Sequence, residues 1–224
     1  MEAFLISMGM IFIAETGDKT QLVALCLATR FNPKIVLAGI FVATLMVHVV
    51  SVLLGGGVSK FVPASYISLA AGVAFIIFAL WTLRGDSLNQ EECDNIQGKS
   101  PFWLVFTTFF LAELGDKTML STITLAAKYP LIPVWLGSTV GMVLADGIAI
   151  VIGLMLGKKL PERAIKIGAA IIFLIFGFYN GYQGAVKAPV SAITVAALIT
   201  VASFVGFLLI LRHDKSKLAT TLAQ

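Results

Sequence analysis

The chain has 224 residues, of which 58% are apolar and only 12% charged, with a mean hydropathy of +0.97. A soluble domain carries about 25% charged residues, so this composition excludes an ordinary water-soluble protein and points to a membrane protein. The net charge of +4 does not mark a nucleic-acid partner, because the basic residues lie mainly in short breaks between apolar runs.

In chain order, apolar runs occupy residues 3–28, 35–58, 65–83, 101–127, 133–156, 164–183 and 189–211. About 20 apolar residues cross a hydrocarbon core of about 30 Å as a helix, and no run alternates as a membrane barrel strand would. The expected fold is an all-α membrane protein of seven spans. The first run has its one basic residue, Lys19, at its middle, so it reads as a retained span and not as a cleaved signal. Cys26 lies in an apolar run and Cys93 in a polar loop. With no CxxC pair or Cys/His cluster, neither a disulfide nor a zinc site is expected.

Orientation follows from the basic residues. With the N-terminus outside, the cytoplasmic segments hold Arg30, Lys34, Arg84, Lys99, Lys158, Lys159, Arg163, Lys166, Arg212, Lys215 and Lys217, and the external segments hold Lys60, Lys128 and Lys187. That bias places the C-terminus in the cytoplasm. Residues 85–100, which include Asp86, Glu91, Glu92 and Asp94, form a cytoplasmic acidic linker. A solvated connection is the favoured reading over a regulatory metal sensor.

Shifted by 98 residues, the sequence matches itself without gaps from about residue 4 to residue 83. The pairs include Phe4 with Phe102, Gly39 with Gly137, Gly55 with Gly153 and Phe75 with Phe173. The repeats are residues 1–84 and 101–183, each of three spans, and residues 184–224 add a seventh span and a basic tail. An odd number of spans inverts the second copy relative to the first. Inverted repeats mark many secondary transporters, which bind substrate at the midplane between the halves.

The densest match is Glu15-Thr16-Gly17-Asp18-Lys19-Thr20 with Glu113-Leu114-Gly115-Asp116-Lys117-Thr118. Together with His48 and Asp146, themselves 98 residues apart, these supply the ionisable groups inside the spans. A charge at mid-bilayer costs at least about 2.5–3.5 kcal/mol, so such groups face one another or water. On one continuous helix, Glu15 and Asp18 share a face, as do Glu113 and Asp116. Should the helix open at its central glycine, freed carbonyls join them. Four carboxylates with Thr20, Thr118 and main-chain oxygens make a hard, oxygen-rich cage suited to Ca²⁺ or Mn²⁺. Without an ion such crowded acids cannot all ionise, and an entering cation expels their protons.

The structural alternative is a pair of intrahelical ion pairs, Glu15 with Lys19 and Glu113 with Lys117. It leaves Asp18 and Asp116 unpaired and does not account for the doubling. The lysines serve either as charge-balancing or gating groups or as structural anchors. His48 and Asp146 are read as a proton relay or outer contact of the ion, or as packing residues. Gly137 with Gly141, Gly153 with Gly157 and Gly177 with Gly181 have the spacing of close helix contacts, and Gly55, Gly56 and Gly57 mark a thin or bent helix end.

These two hexapeptides resemble the doubled Glu-x-Gly-Asp-Lys/Arg-Thr/Ser signature of uncharacterised protein family 0016, which includes eukaryotic Golgi manganese and calcium transporters and bacterial manganese exporters. The resemblance covers nearly the whole chain. It implies export of Mn²⁺, with Ca²⁺ as a second substrate, in exchange for protons, with Glu15, Asp18, Glu113 and Asp116 as the metal site. The cation is cargo, and no resident cofactor is expected. Bacterial members are described with six spans, so the seventh departs from the pattern. The absence of a targeting extension favours a bacterial inner membrane. Other readings are a Ca²⁺/H⁺ antiporter, a cation channel with an acidic ring, told apart by its lack of proton coupling, and an intramembrane enzyme. The last lacks a nucleophile–base pair or HExxH motif, since His48 and His213 are the only histidines.

Overall fold

The computed structural model describes the backbone of residues 1–84, 100–156 and 162–222, and their side chains apart from those of Lys19, Arg84, Leu156, 162–165 and 211–222. The acidic linker, except Ser100, therefore lies outside the described residues. The regular structure within them is helical: α1 (Glu2–Glu15), α2 (Lys19–Arg30), α3 (Pro33–Phe61), α4 (Ala64–Arg84), α5 (Pro101–Glu113), α6 (Lys117–Ala126), α7 (Leu131–Leu156), α8 (Glu162–Ala185) and α9 (Val190–Leu222). Helix starts follow local chemistry. Asn32 accepts from the Lys34 amide ahead of Pro33, and Pro101 opens α5, where its missing N–H costs nothing.

Among the described residues, five stretches are long and apolar enough to cross a membrane: Pro33–Phe61, Ala64–Leu83, Leu131–Met155, Lys166–Ala185 and Val190–Ile210. The other two predicted spans, 3–28 and 101–127, are not continuous helices. Each is divided by a turn, because Gly17 (φ 82°) and Gly115 (φ 84°) take the left-handed conformation, which costs any L-residue with a side chain about 1–2 kcal/mol. The Asp18 amide closes the first turn onto the Glu15 carbonyl at 2.9 Å, and the Asp116 amide closes the second onto Glu113 at 3.3 Å. This corrects the expectation that the two acids of each motif share one helical face.

Lipid-facing helices are apolar all round, so the inward face is marked by small and polar residues. On α3 the buried stripe runs through Gly39, Ala43, Thr44, Val47, His48, Ser51 and Gly55, at spacings of three and four residues that keep it on one side. On α6 it is Thr118, Ser121, Thr122 and Leu125. Bulky side chains such as Phe41, Leu53, Leu144 and Ile175 are left exposed.

The packing exchanges partners between the halves. α1 and α2 pack on α7, whereas α5 and α6 pack on α3, and α4 crosses α8. Glycines permit these contacts at matched positions. A Cβ on Gly39 would lie 3.2 Å from the Phe102 carbonyl oxygen, and one on Gly137 would lie 2.4 Å from that of Phe4. One on Gly55 would meet the Ile123 oxygen at 2.4 Å, and one on Gly153 the Leu25 side chain at 2.4 Å. Gly55 and Gly56 thus sit within α3 as packing positions and do not mark its end. Where α4 meets α8, Phe75 stacks on Phe173 with ring centroids 6.1 Å apart, and the cross pairs Phe75–Phe176 and Phe78–Phe173 lie at 6.2 and 6.0 Å.

The α1–α7 contact gives a direct stability test. A Cβ on Gly137 or Gly141 would stand 2.4 or 2.3 Å from a main-chain oxygen of α1, whereas one on Gly147 meets only a flexible Leu37 methyl at 3.6 Å. Overpacking costs about 1–3 kcal/mol. Gly137→Ala and Gly141→Ala should each lower the thermal unfolding midpoint of the detergent-solubilised protein, and Gly147→Ala should not. Equal midpoints for all three would contradict this packing.

α9 stands apart: it touches α4, and its apolar stretch Val190–Ile210 is wholly unburied. An open apolar groove of about 540 Å³, lined by residues including Leu69, Val73, Ile77, Val195 and Ile199, runs between the two helices. Cys26 is disulfide-bonded, which corrects the expectation of separate cysteines. Spacing in the sequence does not report a tertiary contact, and Cys93 lies outside the described residues.

Candidate cation site

Each glycine turn ends one short helix on a glutamate and starts the next with a threonine. Thr20 Oγ1 donates to Glu15 Oε1, and Thr118 Oγ1 donates to Glu113 Oε2 at 2.5 Å. Both glutamates are 0% exposed. The hydroxyl fixes one carboxylate oxygen in each case. The other, Glu15 Oε2 or Glu113 Oε1, is buried with no hydrogen-bond partner among the described residues. Burying an unpaired carboxylate oxygen is costly, and in a membrane interior such groups persist where they face a functional partner.

The interruptions also free main-chain groups, which cannot turn to water inside a bilayer. The Gly17 amide donates to Gln21 Oε1 at 2.9 Å, and the Gly115 amide to Met119 Sδ at 3.2 Å. Gln21 further donates through Nε2 to the Ala145 carbonyl at 2.9 Å, tying the first turn to α7 next to Asp146. Reading the sequence alone misses Gln21. The available signal is its 98-residue counterpart, Met119, since a buried amide on one side replaces an apolar residue on the other.

Lys117 Nζ lies 3.0 Å from Asp18 Oδ2, both groups being buried. This ion pair joins the two turns and replaces the expected Glu113–Lys117 pair. The turn at Gly115 takes residues 113 and 117 out of one helix, so the i,i+4 spacing no longer puts them on a shared face. Asp18, which the intrahelical alternative leaves unpaired, is therefore paired. The Lys19 side chain, and with it the expected Glu15–Lys19 pair, lies outside the described residues. Asp116 is partly buried, and its Oδ2 has no hydrogen-bond partner among them.

Electrostatically the acids form one neighbourhood. Glu15 feels the charges of Glu113, Asp146 and Asp18, and Glu113 those of Asp116, Asp146 and Asp18. Asp146 reaches this group from α7. His48, on the matching turn of α3, is engaged elsewhere: its Nδ1 lies 3.3 Å from Thr139 Oγ1. One turn earlier on α3, Thr44 donates to Met142 Sδ at 3.2 Å. In this conformation no three His, Cys, Asp or Glu among the described residues close tightly enough to hold an ion. The arrangement is an acidic group poised around two helix breaks. The negative ends of α1 and α5 and the positive ends of α2 and α6 meet there.

Apolar helices long enough to cross a membrane, packed with two further helix pairs that break at a glycine and bury charge at the break, are the arrangement of a membrane transport protein. The chain belongs to the family of GDT1 divalent cation/proton antiporters, which matches it twice, over residues 3–90 and 101–188. The resemblance drawn from the doubled motif is thereby borne out, and α9 lies beyond both matches. Among its relatives is a Vibrio cholerae protein named "Putative manganese exporter", 36% identical over 81% of this chain and 92% of its own. GDT1-like protein 3 of Arabidopsis thaliana is 29% identical over 78% of this chain and 69% of its own. GDT1-like protein sll0615 of Synechocystis is 29% identical over 79% and 95%. No solved structure matches the chain.

Proposed function

We propose that this protein exports Mn²⁺, with Ca²⁺ as a second substrate, from the cytoplasm in exchange for protons, through a site shared by the two Glu-x-Gly-Asp-Lys-Thr turns. The observation that carries this reading is the matched pair of glutamates, each with one oxygen held by its threonine and one buried oxygen left open. Glu15, Asp18, Glu113 and Asp116 supply the site, Lys117 and Lys19 balance its charge, and His48 and Asp146 support it. Carboxylate oxygens suit Mn²⁺ and Ca²⁺ alike. The name of the Vibrio relative favours manganese. The Lys117–Asp18 pair, a tethered cation between the turns, favours a carrier over an open acidic pore.

The two halves are inverted three-span repeats. The exchanged packing of α1 on α7 and α5 on α3 supports this, and so does the double family match. The interrupted helices count as one span each, which with the five long helices gives seven in a bacterial inner membrane, N-terminus outside and C-terminus inside. Single cysteines at Ser87 or Ser216, in a background lacking Cys26 and Cys93, should be shielded from an impermeant thiol reagent in intact cells. Labelling of either from outside would overturn the orientation.

Transport is tested in proteoliposomes loaded with Mn²⁺. A proton gradient directed into the compartment that holds the metal should drive Mn²⁺ out against its own gradient, and a protonophore should abolish that flow. Mn²⁺ movement insensitive to the proton gradient and to the protonophore would make a channel or uniporter the better reading.

A further inference from the structure

The pseudo-symmetry of the two motifs predicts an even set of acids, but the site contains an odd one. Asp146 comes from α7, is 0% exposed, and has no hydrogen-bond partner for either carboxylate oxygen among the described residues. Its counterpart by the 98-residue offset is His48, a neutral-capable ring that spends one nitrogen on Thr139. Asp146 follows Ala145, whose carbonyl accepts from Gln21 Nε2 at 2.9 Å just past the first turn, and its charge reaches both Glu15 and Glu113. Lys117 lies 3.0 Å from Asp18.

Asp146 thus brings two open oxygens on one fully buried carboxyl to a neighbourhood where Glu15 and Glu113 each keep one open oxygen, a set of ligand atoms that no protein group satisfies among the described residues. An oxygen-seeking divalent ion completes such a set, because carboxylates bind these cations through one or both oxygens. Resting on the proposed function, we propose that Asp146 is a direct ligand of the transported divalent cation. Asp146 then joins the motif acids around the ion, off the axis that relates the two motifs, with Asp18 also held by Lys117. Binding draws these groups together from the open arrangement seen here. An asymmetric site gives the two halves different work: the first contributes the ion-paired aspartate and Gln21, and the second contributes the additional ligand.

The test uses the full-length protein with Mn²⁺ alone as ligand, then Cd²⁺ as a probe of direct bonding. Asp146→Asn should weaken Mn²⁺ binding at least tenfold without lowering the thermal midpoint, since it removes an unpartnered buried acid. In a background lacking Cys26 and Cys93, Asp146→Cys should bind Cd²⁺ with the ultraviolet charge-transfer band of a cadmium–thiolate bond, because a thiolate selects softer metals. His48→Cys in the same background should show no such band. Unchanged Mn²⁺ affinity in Asp146→Asn, or no band in a folded Asp146→Cys protein, would overturn the assignment. If Glu15→Gln loses binding while Asp146→Asn keeps it, this inference fails and the proposed function stands. If both bind and transport normally, the proposed site fails as well.

Discussion

Glu15→Gln and Glu113→Gln should each reduce proton-driven Mn²⁺ transport to the level of protein-free vesicles. The amide keeps the size and shape of the side chain and can still accept from Thr20 or Thr118 through its carbonyl oxygen, so the turns and their packing survive. What changes is the other position, where a buried oxygen without a partner becomes an NH₂ that cannot ligate a cation. Since each half contributes one glutamate, neither substitution is rescued by the intact copy. Asp18→Asn and Asp116→Asn should also abolish transport, the first through loss of the Lys117 ion pair as well. Removing one partner of a buried pair costs about 3–5 kcal/mol, so Asp18→Asn should lower the thermal midpoint, whereas Glu15→Gln and Glu113→Gln should not. Normal transport in any two of the four amide variants would contradict a shared site.

A second large effect concerns pH. Protons and the divalent cation compete for the same carboxylate oxygens, because a ligating carboxylate must be deprotonated. Lowering the pH raises proton occupancy of the empty site and weakens metal binding, and raising it strengthens binding. If one proton leaves for each ion bound, the apparent affinity falls about tenfold per pH unit over the range in which the empty site holds that proton. Mn²⁺ binding to the solubilised protein should therefore weaken steeply between about pH 8 and about pH 6. A binding constant flat across that range would mean that the site carries no exchangeable proton.

Much of this arrangement is legible in the residues themselves. Apolar runs separated by charged breaks mark the helices, and the 98-residue offset of Gly39 and Gly137, or Phe75 and Phe173, foretells which contacts recur. The hexapeptides locate the acids. The interruption of the first and fourth runs is less legible, since hydropathy averaged over a window smooths across Gly17 and Gly115, and a glycine inside an apolar run more often serves close packing. The Lys117–Asp18 pair is hidden for another reason. Spacing rules describe neighbours on one helix, and here the partners belong to turns 98 residues apart. Asp146 is visible as a charge in a span, yet its lack of partners emerges only when α7 is packed against both turns. The inward stripe of α3 is likewise masked, because lipid-facing positions such as Phe41 and Leu53 are as apolar as the core.

The exchange of protons for metal at the shared acids is tested most directly by calorimetric titration of Mn²⁺ into the purified protein in two buffers of different ionisation enthalpy at the same pH. The difference in heat counts the protons released per ion bound. The shared carboxylate site predicts a release of at least one proton per Mn²⁺ in the wild-type protein, with the binding heat lost in Glu15→Gln and Glu113→Gln. Binding heats that are identical in the two buffers, a count of zero, would contradict it.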